Sequence, residues 1–199
     1  ISHIGTKLAT TIGFPCAAGL YLLADPIMRL LSPSYTPQEH ALSVQLLGLM
    51  AFAIIFLSVT QTTNGILQGF NKPMLPVLSL GIGAVVKIVL NYTLIAVPQI
   101  NICGAAIGSI ACYAVAAVIN VYNVSKQSGK AFSAGQIVLR PLLAALGMAL
   151  VVYGLRELLT PRLGTMTAMV VCIAAGVGVY GVLIIVLKVI TQREMRWLP

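Results

Sequence analysis

The sequence predicts an all-α fold, namely a polytopic integral membrane bundle of about six transmembrane helices. Of its 199 residues, 59% are hydrophobic and only 8% are charged, and the mean hydropathy is +0.99. Soluble domains do not have this composition. The apolar residues also fall into long runs separated by short polar breaks, as in helical membrane proteins, and the short alternating segments of a membrane β-barrel are absent.

Six apolar runs are long enough to cross the hydrocarbon core of a bilayer, which takes about 20 helical residues. In chain order, they are Leu8–Leu23, Val44–Leu67, Leu75–Val97, Ile102–Val124, Pro141–Leu159 and Thr167–Ile190. The first run could extend to Leu31. Residues typical of turns and helix starts separate the runs, at Asp25-Pro26, Ser32-Pro33-Ser34, Asn71-Lys72-Pro73, Pro98-Gln99-Ile100-Asn101, Ser125 to Gln136 and Thr160-Pro161-Arg162. These connections are too short to hold a soluble domain.

Lysine and arginine are divided unevenly between the two ends of the predicted spans. One end has eight and the other three, respectively Lys7, Lys72, Lys126, Lys130, Arg140, Lys188, Arg193 and Arg196, and Arg29, Arg156 and Arg162. Because cytoplasmic loops carry the excess of basic residues, we expect a multi-pass membrane protein with both ends of this chain in the cytoplasm. The asymmetry explains the net charge of +8 without a nucleic-acid partner. Membrane lipids are expected partners, and the Lys126–Arg140 loop could contact anionic headgroups.

Neither a metal site nor a catalytic site can be assembled from this sequence. The four cysteines lie in or beside four different spans, without a C-x-x-C pair or clustered histidines, and are expected to be packing residues. They are Cys16, Cys103, Cys112 and Cys172. The histidines are expected in terminal or loop positions and the acids near span ends, at His3, His40, Asp25, Glu39, Glu157 and Glu194. We therefore expect no enzyme activity, no cofactor and no metal.

Small residues in three spans predict close helix packing. The segment Gly176–Gly181 matches the G-x-G-x-x-G pattern of dinucleotide-binding folds, but it lies inside an apolar run with no strand before it. Gly104 and Gly108 form a G-x-x-x-G pair. Together with Gly81 and Gly83 in the third span, these glycines are expected at helix contacts.

Lys87 is the only charged residue in the third predicted span. A lysine at the centre of a transmembrane helix costs roughly 2.5 to 3.5 kcal/mol, so its side chain should face a bundle interior or a water-filled path. This makes Lys87 the first functional candidate. The alternative is a lysine that snorkels or caps a carbonyl inside the bundle.

Polar residues recur at helical spacing in the second, third and fourth spans. The three stripes are Gln61, Asn64 and Gln68; Gly83, Lys87 and Asn91; and Ser109, Tyr113 and Asn120. As a set, they could enclose a hydrophilic cavity lined by amides, hydroxyls and one cation. The alternative is interhelical hydrogen bonding that only holds the bundle together, at about 0.6 kcal/mol per bond.

Three segments carry a resemblance to a known family. They are Thr63-Asn64-Gly65-Ile66-Leu67-Gln68-Gly69-Phe70-Asn71-Lys72-Pro73, Gly83-Ala84-Val85-Val86-Lys87 and Asn101-Ile102-Cys103-Gly104-Ala105-Ala106-Ile107-Gly108. In this order and spacing, the chain resembles the stage V sporulation protein B family of polysaccharide-biosynthesis membrane proteins. That family belongs to the multidrug, oligosaccharidyl-lipid and polysaccharide exporter superfamily. The resemblance is strong over Gln61 to Val124, and elsewhere it rests on topology alone.

The resemblance implies a full chain of about fourteen helices in two six-helix lobes and a final pair. This chain would be its C-terminal part, and it begins at Ile1 without a signal peptide. Residues 1–124 would form four helices of the second lobe, and residues 125–199 a cytoplasmic loop, the final helix pair and a cytoplasmic tail. The missing N-terminal helices of the same protein would then be partners.

The family resemblance implies a multi-pass flippase of the bacterial plasma membrane for lipid-linked oligosaccharides or cell-wall precursors such as lipid II, working by alternating access. Its substrate path would include Lys87, Asn91, Gln61, Asn64, Gln68 and Asn120. Two alternatives remain open, a cation-coupled multidrug exporter of the same superfamily and a non-transporting membrane scaffold for cell-wall or spore assembly. The exporter would require an acidic residue at membrane depth, which this chain does not offer.

Overall fold

A computed structural model describes residues 2–97, 100–128 and 139–187, without the side chains of residues 2–4 and 161–163. These ranges form seven helices and no strand, which confirms the all-α prediction. The helices are α1 (Ser2–Leu22), α2 (Ala24–Leu31), α3 (Pro37–Gly69), α4 (Met74–Leu94), α5 (Cys103–Ser128), α6 (Arg140–Leu163) and α7 (Thr165–Val186).

Five of these helices are long and apolar enough to cross a membrane, namely α3 to α7. A sixth span results if α1 and α2, which meet at a bend of 66°, are counted together. This agrees with the predicted bundle of about six transmembrane helices. The predicted end of the last run at Ile190 lies outside the described residues.

The first predicted run corresponds to α1, and its possible extension to Leu31 is the separate helix α2, because the chain bends at Leu23. The break precedes the predicted Asp25-Pro26 signal, and both of those residues lie in the first turn of α2, where proline is tolerated. At the bend, a guanidinium nitrogen of Arg156 in α6 donates to the carbonyl oxygen of Leu22 at 2.8 Å. A carbonyl that the end of α1 leaves without a helical partner is thus satisfied by a side chain.

α3 begins seven residues before the predicted run, at Pro37. A capping box explains the early start: the Glu39 N–H donates to the Thr36 hydroxyl at 3.4 Å, and the Thr36 N–H donates to the Glu39 carboxylate at 2.9 Å. With 33 residues, α3 is about 50 Å long and exceeds the hydrocarbon thickness. The expectation that His40 lies in a loop is wrong, since His40 belongs to the first turns of this helix.

Asn71 and Asn101 mark two breaks where the sequence predicted them. Both residues have positive φ values, 59° and 42°, which asparagine adopts more readily than most residues do. Pro98 and Gln99 lie outside the described residues.

The two later breaks differ from the sequence prediction. α5 continues to Ser128, and residues 129–136 of the predicted Ser125 to Gln136 break lie outside the described part. The predicted break at Thr160 to Arg162 is wrong: α6 continues to Leu163 and ends at Gly164. Gly164 has a φ of 77°, which glycine adopts without steric cost.

The helices pack in a chain of neighbours. α5 packs against both α3 and α4, α1 packs against α3, and the hairpin of α6 and α7 packs against α1. A buried cluster joins Phe14 of α1 to Met148 and Val152 of α6 and to Cys172 of α7. The Tyr180 hydroxyl donates to the Thr11 carbonyl at 2.5 Å and adds a polar tie between α7 and α1. The division into residues 1–124 and 125–199 stays a prediction.

Glycines permit the closest helix contacts, as the sequence predicted for four positions. A Cβ atom on Gly83 would lie 2.6 Å from the Cys112 carbonyl oxygen, and one on Gly104 would lie 2.8 Å from the Leu94 Cβ. Gly108 has Asn91 directly against it, and Gly176 packs against α6. In contrast, a Cβ on Gly81, Gly178 or Gly181 would meet nothing within 4 Å.

The contact between α4 and α5 predicts opposite effects for two alanine substitutions in α4. Gly83→Ala should lower the free energy of unfolding by about 1 to 3 kcal/mol, because the methyl group meets a backbone oxygen that cannot rotate away. Gly81→Ala is the matched control and should be neutral or stabilising by up to about 1 kcal/mol, as expected for an open helical site. Unfolding of both variants in detergent measures the difference, and equal stability would contradict the close contact.

Candidate functional site

A network of side-chain hydrogen bonds links α4, α5 and α3. The Ser79 hydroxyl donates to the side-chain oxygen Oδ1 of Asn120 at 2.6 Å. The side-chain nitrogen Nδ2 of Asn120 in turn donates to Oδ1 of Asn64 at 2.6 Å. Ser79 and Asn120 are both 0% exposed. Asn120 thus has partners on both sides, so interhelical hydrogen bonding accounts for the contacts of Asn64 and Asn120. Ser79 was missed by the sequence analysis, although it lies one turn before Gly83 on the same side of α4.

A second polar tie joins α3 to α5. The buried Thr60 hydroxyl lies 2.8 Å from the Phe56 carbonyl oxygen and 3.3 Å from the Tyr113 carbonyl oxygen on α5. Thr63 is also buried and donates to the Val59 carbonyl at 2.7 Å. This side of α3 therefore faces α5.

Gln61 and Gln68 lie on another side of α3 and are exposed. Gln61 is eight residues from the C-terminal end of the helix, about 12 Å along its axis, and therefore lies at membrane depth. An amide that faces hydrocarbon loses its hydrogen bonds to water at a cost of several kcal/mol. We therefore expect the face of α3 that carries Gln61 and Gln68 to contact water, a ligand or additional protein.

Lys87 and Asn91 form a polar pair at the edge of the contact between α4 and α5. They are one turn apart and both half-buried. Lys87 lies seven residues before the end of α4, about 10 Å along the axis. In the part of the chain that the structure describes, it makes neither a hydrogen bond nor an ion pair. The ammonium group is therefore left without the partner that a charge at membrane depth requires.

Asn91 presents a buried acceptor without a donor. Its side-chain oxygen has no hydrogen-bond partner among the described residues. The oxygen fits against α5 only because Gly108 has no side chain, and the Lys87 carbonyl packs at the same point. An unsatisfied buried acceptor costs about 1 to 3 kcal/mol, so a donor from water, a ligand or the neighbouring lysine is expected here.

The six predicted site residues thus form separate groups. Asn64 and Asn120 are bonded to each other, Lys87 and Asn91 share one face of α4, and Gln61 and Gln68 share an exposed face of α3. No hydrogen bond in the described ranges joins Lys87 to the α3 amides. Their common role in a substrate path remains a prediction.

A charged cluster that the sequence analysis did not assemble lies at the bend between α1 and α2. Both oxygens of the Asp25 carboxylate are 3.2 Å from Nε of Arg29, and one is 3.5 Å from a terminal nitrogen of Arg156. Nε2 of His40 is buried and lies 3.8 Å from the same carboxylate. Two sequence signals pointed here, the i, i+4 spacing of Asp25 and Arg29 and the position of Arg156 inside the fifth predicted run.

The network around Asn120 predicts a loss of stability on its removal. Asn120→Leu should lower the free energy of unfolding by about 1 to 3 kcal/mol, because Ser79 and Asn64 lose partners in a buried site. Asn123→Leu on the same helix is the matched control, since Asn123 is half-buried and has no side-chain hydrogen bond within the described residues. Thermal unfolding of the two variants measures the effect. If both unfold like the wild type, the network does not stabilise the bundle.

Two comparisons find similarity between this chain and known membrane proteins. The MatE family model matches residues 1–93, just under half of the chain, and that family lies within the exporter superfamily named above. The uncharacterized membrane protein YabM of Bacillus subtilis (strain 168) is 28% identical over 200 residues, which cover 97% of this chain and 36% of YabM. The chain therefore spans about a third of the length of this curated relative. No solved structure matches it significantly.

Proposed function

We propose that this chain is part of a membrane flippase that moves lipid-linked cell-wall or polysaccharide precursors, such as lipid II, by alternating access. The observation that carries the proposal is the pair of Lys87 and Asn91, a cation and an amide oxygen at membrane depth that have no partners in the described bundle. The similarity of residues 1–93 to the MatE family supports the coarser class, a membrane transporter.

The chemistry of the pair suits a pyrophosphate-linked sugar. A positive charge lowers the cost of bringing phosphate oxygens into a low-dielectric region. The free oxygen of Asn91 can accept from a sugar hydroxyl, and the exposed amides of Gln61 and Gln68 can donate and accept. Asn64 and Asn120 would hold α3 and α5 in place beside this path, because they are bonded to each other.

Alternating access assigns the opposite wall of the path to the missing helices of the full-length protein. Two lobes would rock around a central site, with the headgroup inside and the lipid tail in the bilayer. The resemblance further suggests that the last pair of spans, from Pro141 to Ile190, forms a groove for the tail.

A cation-coupled multidrug exporter is the second candidate, and the MatE similarity supports it equally well. Coupling to protons or sodium ions uses a carboxylate at membrane depth. Among the described residues, Asp25 is paired with Arg29 and Arg156. Glu39 caps the start of α3, and Glu157 is exposed, so none of the three is a buried carboxylate free to bind a coupling ion. For this reason we rank the flippase above the exporter.

Removal of the Lys87 charge tests the path directly. In proteoliposomes containing the full-length protein, Lys87→Met should slow transbilayer movement of a lipid-linked precursor at least tenfold, because the phosphate loses its counter-charge. The unfolding temperature should stay unchanged. Lys72→Met is the matched control, because Lys72 is exposed in the turn between α3 and α4.

Three outcomes are informative. Unchanged movement in Lys87→Met would remove this residue from the path. Equal losses of stability and movement would make it a structural residue. Uptake of a cationic dye under an ion gradient, without movement of the lipid, would favour the exporter.

Substitutions of the side-chain amides of α3 should distinguish residues of the substrate path, which affect transport, from structural residues, which affect stability. The double variant Gln61→Leu/Gln68→Leu should slow movement at least tenfold without loss of stability, because both side chains are exposed. Asn64→Leu should instead lower the free energy of unfolding by about 1 kcal/mol, since it breaks the bond to Asn120. Transport and unfolding are measured on the same preparations. If the glutamine variant loses stability and transport in parallel, these glutamines belong to the helix packing.

A further inference from the structure

A cavity of about 230 Å³ lies where the bend between α1 and α2 meets the end of α6 and the start of α7. Its polar wall carries Asp25, Arg29 and Arg156, together with Thr160 and Thr165. Its apolar wall is formed by Leu23 at the bend and by α7, including Ala168. The cavity is therefore amphipathic, and it is separate from Lys87 and the α3 amides.

The polar wall has an excess of positive charge. Two guanidinium groups share one carboxylate, so the three side chains carry a net charge of +1. The contact of Arg156 with Asp25, at 3.5 Å, is long compared with about 2.7 to 2.9 Å for a well-formed charged hydrogen bond. Arg29 contacts Asp25 only through Nε, at 3.2 Å. Asp25 therefore leaves both arginines with donors to offer.

A hydrogen bond to the backbone at the bend restricts the orientation of the Arg156 side chain. One terminal nitrogen donates to the Leu22 carbonyl oxygen at 2.8 Å, which anchors the guanidinium group at the bend. Its side chain is 31% exposed, so the remaining donors are accessible from the cavity. An anchored arginine binds a tetrahedral oxyanion with little loss of side-chain entropy.

We propose that this cavity binds a phosphate group, carried either by an anionic phospholipid or by free phosphate. Arg29 and Arg156 would hold the phosphate oxygens, and the threonine hydroxyls could donate to them. The site lies between the last two turns of α6 and the first two turns of α7, and basic pockets between transmembrane helices bind such headgroups. A bound phosphate would bridge α2 and α6 and so hold the final helix pair to the bent first span. This inference does not depend on the proposed transport function.

Binding to the purified full-length protein in detergent tests the site. The probes are dioleoyl phosphatidylglycerol, dioleoylglycerol with the same chains but no phosphate, and inorganic phosphate against chloride at equal ionic strength. Unfolding temperature and native mass spectrometry report binding. We expect phosphatidylglycerol to bind and stabilise, and dioleoylglycerol to do neither.

Three variants and one control assign binding to the cavity. Arg29→Gln and Arg156→Gln should each raise the dissociation constant at least tenfold. Ala168→Leu should do the same with every charge in place, because its side chain fills the cavity. Lys72→Gln is the control, an exposed basic residue in the turn between α3 and α4, and should bind like the wild type.

Each result decides the proposal. Should Arg156→Gln fail to fold after losing its bond to Leu22, Arg29→Gln and Ala168→Leu decide, because both retain that bond. Inorganic phosphate that binds with the same sensitivity to the variants would identify free phosphate as a ligand, and binding of the phospholipid alone would identify the lipid. The proposal is overturned if neither probe binds, or if binding is as tight in Arg29→Gln and Ala168→Leu as in the wild type.

Discussion

The close approach of α4 and α5 is the constraint on which the polar arrangement of this bundle depends. Gly83, Gly104 and Gly108 remove the side chains that would hold the two helices apart. At this short distance, Asn120 reaches Ser79 across the contact, and the Asn91 oxygen is pressed against Gly108. Because hydrocarbon offers no hydrogen bonds, a contact this tight decides which polar groups find partners and which do not.

Its consequence is that polar side chains at membrane depth fall into two classes. Asn64 and Asn120 are satisfied by each other, and their bonding is of the kind that stabilises a bundle at modest gain per bond. Lys87 and the Asn91 oxygen have no partners in the described ranges, and Gln61 and Gln68 face outward. A substrate path can be built from side chains of the second class, because their polar groups are free to form hydrogen bonds with a substrate.

Hydropathy was sufficient to predict the spans, because it depends on local sequence. The spacing of small residues predicted the contacts of Gly83, Gly104, Gly108 and Gly176, but the contacts expected at Gly81, Gly178 and Gly181 are absent among the described residues. A break near Leu23 was predicted from Asp25-Pro26, but the contact at the bend was not, because the Leu22 carbonyl is satisfied by Arg156, which is more than one hundred residues away. The helical spacing of polar residues also could not separate Asn64 from Gln61, because the two are about one turn apart in α3. Only the hydrogen bond from Asn120 to Asn64 distinguishes them. The early start of α3 could have been predicted, because Thr36 and Glu39 have the spacing of a capping box.

The same physical rule distinguishes the charges at the bend from Lys87. At the bend, Asp25 lies beside two arginines, so the protein itself supplies one counter-charge for the two cations. Lys87 has no such neighbour in the described bundle. A carboxylate on a neighbouring helix, at about 4 Å and an effective dielectric constant of about 20, would stabilise the ammonium group by about 4 kcal/mol. That carboxylate would then compete with phosphate for the same cation. A permanent acidic partner for Lys87 therefore argues against a path for anionic headgroups, whereas a cation that is paired only while substrate is bound argues for one.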